Sequence, residues 1–156
     1  MAASLLGLGA RFLRGGPDGH GPQGDDGLWM RRVWLHEARS EANIRQMVTA
    51  LHAVGVRELY PFLGPLGPTG RPGWRDGETI RPYDPEIARA FFTAAHAAAP
   101  GTVILPWTGG VLGRDVLLDD PDFRARFAAA MGEIVALGAD GVQLNVEPCP
   151  RAPRGI

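Results

Sequence analysis

Apolar and polar residues alternate over residues 142–147, close to the C-terminal end of the chain. Val142, Leu144 and Val146 alternate with Gln143, Asn145 and Glu147. A period of two is typical of a β-strand, whose successive side chains point to opposite faces. A helical pattern precedes the segment and Asp140-Gly141 makes the turn into it, as in a strand of a parallel α/β sheet. We therefore expect the apolar side to lie under helices and the polar side to face inward.

Three strand-and-helix units precede this strand. The predicted strands cover residues 29–36, 56–63, 102–108 and 142–147. Apolar residues with helical spacing lie between them, as in the stripe from Ile44 to Leu51 behind a Ser40 N-cap. The two later helices both begin with an aspartate cap followed by proline, at residues 84–85 and 120–121. This repetition is the pattern of right-handed βαβ crossovers.

The order of elements predicts an α/β fold with about four parallel strands and three crossover helices. A complete eight-stranded barrel takes about 250 residues, whereas the chain has 156. We therefore expect the N-terminal half of a TIM (β/α)8 barrel, truncated at the C-terminus by a shortened gene or a fragmentary one. An intact half-barrel that dimerises is one alternative. A doubly wound sheet is the other, disfavoured because no Gly-rich phosphate fingerprint follows the first strand.

Composition divides the chain into three parts. Residues 1–27 contain a short apolar run and a Gly- and Pro-rich stretch that predicts a flexible linker. The apolar run is too short to span a bilayer and no basic residue precedes it, so it predicts neither a membrane helix nor a signal peptide by itself. We expect a frayed N-terminal helix, and the end of a longer signal or membrane segment is the alternative. Residues 28–148 form the half-barrel domain, which includes a long insertion at 64–83 of a kind that is often functional. The proline-rich tail, residues 149–156, is expected to be disordered.

Charge and cysteine content exclude some partners. A net charge of -1 and a pI near 6.4 give no electrostatic reason to propose a nucleic acid or an anionic membrane as partner. The chain has a single cysteine, Cys149, and therefore cannot form an internal disulfide. The cysteine content does not determine the cellular compartment, and a secreted or cell-envelope location is favoured over the cytoplasm. No cluster of metal-ligating residues has zinc-site spacing, and no cofactor is predicted.

Parallel strands would bring chemically active side chains together at their carboxyl ends. Those side chains are His36 and Glu37, Tyr60 and Phe62, Trp107 and Thr108, and Asn145 and Glu147. Aromatic faces stack on sugar rings while polar groups bond hydroxyls, so the set predicts a carbohydrate ligand. Cleavage of a glycosidic bond needs a protonated carboxyl and a second group that stabilises the cationic centre. Glu147 is the candidate acid, and Asn145, on the same face, is the candidate that orients a substrate amide.

Simpler interpretations of these residues stay open. A glutamate at a strand end often faces solvent, and an imidazole at a barrel rim often makes only a structural hydrogen bond. Tyr60 and Trp107 would then close the mouth of the barrel rather than bind sugar.

The segment Asp140-Gly141-x-Gln143-x-Asn145-x-Glu147 resembles the fourth-strand motif of glycoside hydrolase family 18, the chitinase and endo-N-acetylglucosaminidase family, written Asp-Gly-x-Asp-x-Asp-x-Glu. The resemblance implies hydrolysis of an N-acetylated glycan, with Glu147 as general acid and Asn145 polarising the N-acetyl group. Asp140 and Gln143 match the two earlier positions and are candidate substrate contacts. Amides replace two of the family's three aspartates, and the Asn-Glu pairing is similar to that of family 85. The pattern is also similar to bacterial barrel proteins of the glycoside hydrolase superfamily.

Two classes of function follow. In one, the chain is part of a glycosidase and is inactive alone because half of its pocket is absent. In the other, it is a non-catalytic carbohydrate-binding or interaction module. In both, the open edges of the sheet favour self-association.

Overall fold

The computed structural model describes residues 26–77 and 79–148. The elements are β1 (Asp26–Met30), α1 (Val33–His36), α2 (Glu41–Ala53), β2 (Val56–Pro65), β3 (Gly73–Asp76), β4 (Thr79–Pro82), α3 (Pro85–Ala98), β5 (Val103–Ile104), β6 (Trp107–Val111), α4 (Pro121–Ala136) and β7 (Gln143–Glu147). No helix in these ranges has the length and apolar character to cross a membrane. The predictions for residues 1–25 and for the tail 149–156, including Cys149, lie outside the described residues.

The main sheet is parallel and follows the order of the chain. Its path is β1-β2-β6-β7, with β5 paired to β2 just before β6. β5 and β6 together form the predicted third strand, which is interrupted at Leu105-Pro106 because proline has no backbone N–H to donate to the ladder. The predicted mixed α/β architecture with four parallel strand positions is therefore confirmed.

The helices cover one face of this sheet. Fully buried residues of the strands, such as Leu28 and Leu59, pack with Phe91 and Phe92 of α3 and Ile134 of α4 in one core. The predicted helix caps are confirmed: the Ser40 side chain accepts a hydrogen bond at the start of α2, and Asp84 and Asp120 do the same for α3 and α4.

The first strand differs from its predicted bounds of 29–36. β1 ends at Met30, and Val33–His36 forms the short helix α1, in which the amides of Leu35 and His36 both donate to Arg32 O. The turn of helix buries Leu35 completely, so core burial outweighs the β-propensity of the segment. At the other end, the linker was predicted to extend to residue 27, whereas Asp26 and Gly27 begin β1.

The insertion at 64–83 is ordered as a hairpin. β2 extends into it as far as Pro65, and β3 then pairs with β4 in antiparallel register. Gly64 lies so close to the hairpin that a Cβ atom there would be 2.0 Å from Gly73 O, and its φ of 111° also favours glycine. Arg71 forms two hydrogen bonds of 2.8 and 2.7 Å to Glu133 of α4, which tie the insertion to the helical layer.

Candidate functional site

Four aromatic side chains cover the face of the sheet that the helices leave uncovered. Trp29 of β1, Tyr60 and Phe62 of β2, and Trp107 of β6 form this aromatic cluster. They alternate along their strands with the core residues Leu28, Leu59 and Leu63, so they point away from the helices. The rings of Trp29 and Trp107 approach to 4.8 Å between centroids, although β2 separates their strands and neighbouring strands lie about 4.8 Å apart. The sheet is therefore curled, and the cluster lies on its concave face.

A cavity of about 340 Å³ lies at the carboxyl end of β1, beside the aromatic cluster. Its lining residues are Trp29, Met30, Arg31, Arg32, Phe62 and Trp107. Aromatic rings and the two arginines that follow β1 thus line the same cavity. This combination accommodates a ligand with both a flat ring face and polar or charged groups.

The polar residues of β7 lie on the same face as Trp107. The parallel register aligns Gln143 with Trp107, Asn145 with Gly109 and Glu147 with Val111, and aligned residues of a parallel pair share a face. On the opposite face, Val142 packs on the main core and Val146 on a small cluster around Phe123. The predicted alternation of faces is thus present, although Leu144 remains 45% exposed.

Glu147 and Asn145 are exposed, and neither lines the cavity beside the aromatic cluster. The strand comes close to β6 at this point, since a Cβ atom on Gly109 would lie 1.8 Å from Asn145 O. Glycine at position 109 therefore permits the pairing that carries Asn145 and Glu147 onto the concave face. Leu112 N donates to Glu147 O and extends the pairing to the strand end.

Tyr60 is held by Glu58, two residues earlier on β2. Its hydroxyl donates to the Glu58 carboxylate. Burial, followed by this hydrogen bond and the charge of Glu58, raises the pKa of Tyr60 to about 12. The phenol therefore remains protonated at neutral pH. Gly27 leaves room for the ring, because a Cβ atom there would be 2.5 Å from a Tyr60 ring carbon.

His36 reaches the end of β2 from helix α1 rather than from a strand. Its Nε2 lies 2.9 Å from Leu63 O, and a carbonyl can only accept, so Nε2 carries the proton and donates. Burial lowers the pKa of His36 from its ordinary value of 6.5. The imidazole is therefore neutral at physiological pH, and it joins the loop after β1 to the end of β2.

Asp140 lies at the opposite end of β7 from Glu147. One of its carboxylate oxygens, Oδ2, accepts a hydrogen bond of 2.7 Å from Ile104 N and lies 2.9 Å from His96 Nε2. These contacts tie the turn before β7 to β5 and α3. The structure does not bring Asp140 to the carboxyl rim, where its predicted contact with substrate would require it to be.

Arg31, Arg32 and Trp74 were not identified as site residues from the sequence. The Arg32 guanidinium carbon lies 3.7 Å from the centroid of the Trp74 ring, so the β3–β4 hairpin contacts the arginine that lines the cavity. The available signal was a pair of consecutive arginines. Extending the first strand to residue 36 placed both arginines inside the strand and concealed their position at the rim.

The same hairpin reaches the loop after β6 through Arg75. Its Nη2 lies 3.8 Å from Asp115, which is buried and accepts hydrogen bonds from Arg114 and from Val111 N. The hydrogen bond from Arg114 is the main cause that lowers the pKa of Asp115. Asp115 is thus an ionised anchor for its loop.

No group of three or more potential metal ligands occurs within the described ranges. In comparisons with protein-family models, curated proteins and solved structures, the chain matches none.

Proposed function

We propose that the concave face binds carbohydrate and that the chain is the N-terminal half of a glycoside hydrolase-like (β/α)8 barrel. The observation that carries the proposal is the aromatic cluster, which shares the concave face with the polar residues of β7. Indole and phenyl faces stack on the apolar faces of sugar rings, and Gln143, Asn145 and Glu147 supply hydrogen bonds to hydroxyl or acetamido groups. An N-acetylated glycan fits this set, since an amide side chain pairs well with an acetamido group.

Glu147 is the proposed general acid of the complete barrel. It lies at the carboxyl end of the last strand, where α/β barrels place their catalytic groups. A general acid must stay protonated near neutral pH, and a partly apolar pocket normally achieves this. Because Glu147 is exposed here, catalysis would require further strands that enclose it. We therefore expect the 156-residue chain to bind glycans without hydrolysing them.

A non-catalytic binding module is the second candidate. The exposure of both Asn145 and Glu147 favours it, because neither residue is shielded from water. In this alternative the aromatic cluster binds sugar and Glu147 forms only a hydrogen bond.

Binding is tested by titrating the full chain with chitotriose and maltotriose in a calorimeter. We expect one of them to bind and Trp29→Ala to weaken its binding by at least about 10-fold. The matched control is Trp34→Ala, which removes a tryptophan packed on the helical side against Phe91. Circular dichroism verifies the fold of both variants. Absence of binding by any neutral, N-acetylated or acidic oligosaccharide would contradict the proposal.

Catalysis is tested separately on a chain extended with a complementary half-barrel. Hydrolysis that disappears in Glu147→Gln supports the enzyme. Glycan binding without turnover in that complete barrel supports the non-catalytic module.

A further inference from the structure

We infer that the ligand of the concave face is an acidic oligosaccharide, whose ring carboxylate is bound by Arg31 and Arg32. This inference rests on the proposed function and narrows the class of glycan. The inferred carboxylate site lies at the β1 edge of the concave face, whereas the polar residues of β7 lie at the opposite edge.

The position of the two arginines is the first support. They follow β1 directly and line the same cavity as Trp29, Phe62 and Trp107. A sugar ring that stacks on the indoles would therefore have its substituents within reach of cationic groups. The cavity volume of about 340 Å³ is at the lower end of the range of small-molecule sites, which begins at about 300 Å³.

The second support is the electrostatic environment of these two arginines. Within residues 26–77 and 79–148, the side chains of Arg31 and Arg32 have neither an ion pair nor a hydrogen bond. The other arginines of those ranges all have a carboxylate or carbonyl partner: Arg39, Arg45, Arg57, Arg71, Arg75, Arg81, Arg89, Arg114, Arg124 and Arg126. Among the described residues, Arg31 and Arg32 are thus two adjacent cations without a bonded counter-charge, and both line the cavity beside the aromatic cluster.

The third support is the contact between Arg32 and Trp74. The indole lies 3.7 Å from the guanidinium carbon, and such stacking orients the plane of a guanidinium while leaving its N–H edge free. A planar carboxylate matches that edge with two parallel hydrogen bonds. Stacking of the sugar ring on the aromatic cluster and pairing of the sugar's carboxylate with the arginines would together select a uronic acid over a neutral sugar.

The experiment compares trigalacturonic acid with its methyl ester, which retains the sugar rings and removes the charge. We expect the full chain to bind the acid at least about 10-fold more tightly than the ester, with an advantage that falls as salt rises. Arg31→Gln and Arg32→Gln should each reduce that advantage by several-fold, because each weakens binding of the acid more than binding of the ester. Arg45→Gln on α2, whose native partner is Glu41, is the matched control and should retain the full advantage.

The possible failures are distinguishable. Equal affinity for the acid and the ester would overturn the inference of an acidic ligand. It would leave the proposal of carbohydrate binding unaffected. An advantage that survives in both cavity variants, or falls equally in the Arg45 variant, would overturn the assignment to Arg31 and Arg32. Absence of binding by any of the saccharides, chitotriose included, would overturn the proposed function as well.

Discussion

Trp107 and Phe62 stack across neighbouring strands, with ring centroids 4.0 Å apart and planes inclined by 29°. The indole N–H of Trp107 is buried and has no hydrogen-bond partner among the described residues. A buried donor without an acceptor costs about 1–3 kcal/mol. This cost offsets much of the extra apolar burial that an indole has over a phenyl ring. We propose that contact with a ligand explains the larger ring.

Trp107→Phe tests that explanation. The smaller ring loses apolar contact and also removes the unsatisfied N–H, so we expect the free energy of unfolding to stay within about 1 kcal/mol of the wild-type value. Glycan affinity should fall by at least about 5-fold because stacking area is lost. Urea denaturation and calorimetric titration measure the two quantities. A large loss of stability with unchanged affinity would assign the indole to packing alone.

Asp140→Ala separates a structural role from a substrate contact. Removing the acceptor for Ile104 N and the partner of His96 should lower the free energy of unfolding by about 1–2 kcal/mol. Glycan affinity should remain unchanged, because Asp140 lies at the far end of β7. Denaturation and titration of the same preparation provide both values. Reduced affinity with full stability would restore the substrate contact that the motif predicts.

His36 should make stability depend on pH near neutrality. Burial lowers the pKa of His36 in the folded state below the ordinary 6.5, so the unfolded chain binds a proton first as pH falls. The contribution of His36 is therefore fully present above about pH 6.5 and is lost progressively below it. His36→Gln, which retains an N–H donor, should abolish this part of the dependence. Urea midpoints between about pH 5 and about pH 8 measure it, with His52→Gln as the control; identical slopes for wild type and His36→Gln would contradict the prediction.

Tyr60 should affect stability at alkaline pH. Its folded-state pKa of about 12 exceeds the ordinary value of 10.0, so its contribution is complete below about pH 10 and is lost as pH rises toward 12. Absorbance titration of the folded protein should show a tyrosine that ionises near the higher value. In Tyr60→Phe that transition should disappear. Ionisation of every tyrosine near pH 10 would contradict the burial and hydrogen bonding of Tyr60.

The edges of the sheet should promote self-association. Within the described chain β1 pairs only with β2, and β7 only with β6, so each has one unpaired edge. Leu144→Lys places a charge on the edge strand β7 and should reduce the apparent mass in light scattering. Val135→Lys on α4 is a matched control, because Val135 and Leu144 are both 45% exposed. A monodisperse monomer for the wild-type protein would overturn this expectation.

Local patterns predicted most of the sheet and its helices. The Asp-Pro caps of α3 and α4 and the alternation in β7 are signals carried by neighbouring residues, and both survive in the fold. The first strand was predicted too long because Trp34 has a high β-propensity and Leu35 is apolar. In the structure Leu35 is buried by a turn of helix instead. That choice depends on tertiary packing, which a local pattern does not contain.

The candidate site was predictable only in part. Trp107 and Tyr60 were identified from their strands, and the structure places both in the aromatic cluster. Arg32 and Trp74 meet from segments far apart in sequence, and no spacing along the chain indicates such a contact. Asp140 was a candidate substrate contact because of its motif position, whereas its contacts in the structure are to Ile104 and His96, at the far end of β7 from Glu147.

The hairpin contacts two parts of the rim through adjacent residues. Trp74 stacks under Arg32 after β1, and Arg75 approaches Asp115 after β6. The cavity is lined by residues of β1, β2 and β6 and the loop after β1, and the hairpin contacts its rim. It therefore forms only when these segments have packed against one another. If the proposed function holds, sugar affinity would report whether the whole domain is folded, because no single strand contains all the residues that line the cavity.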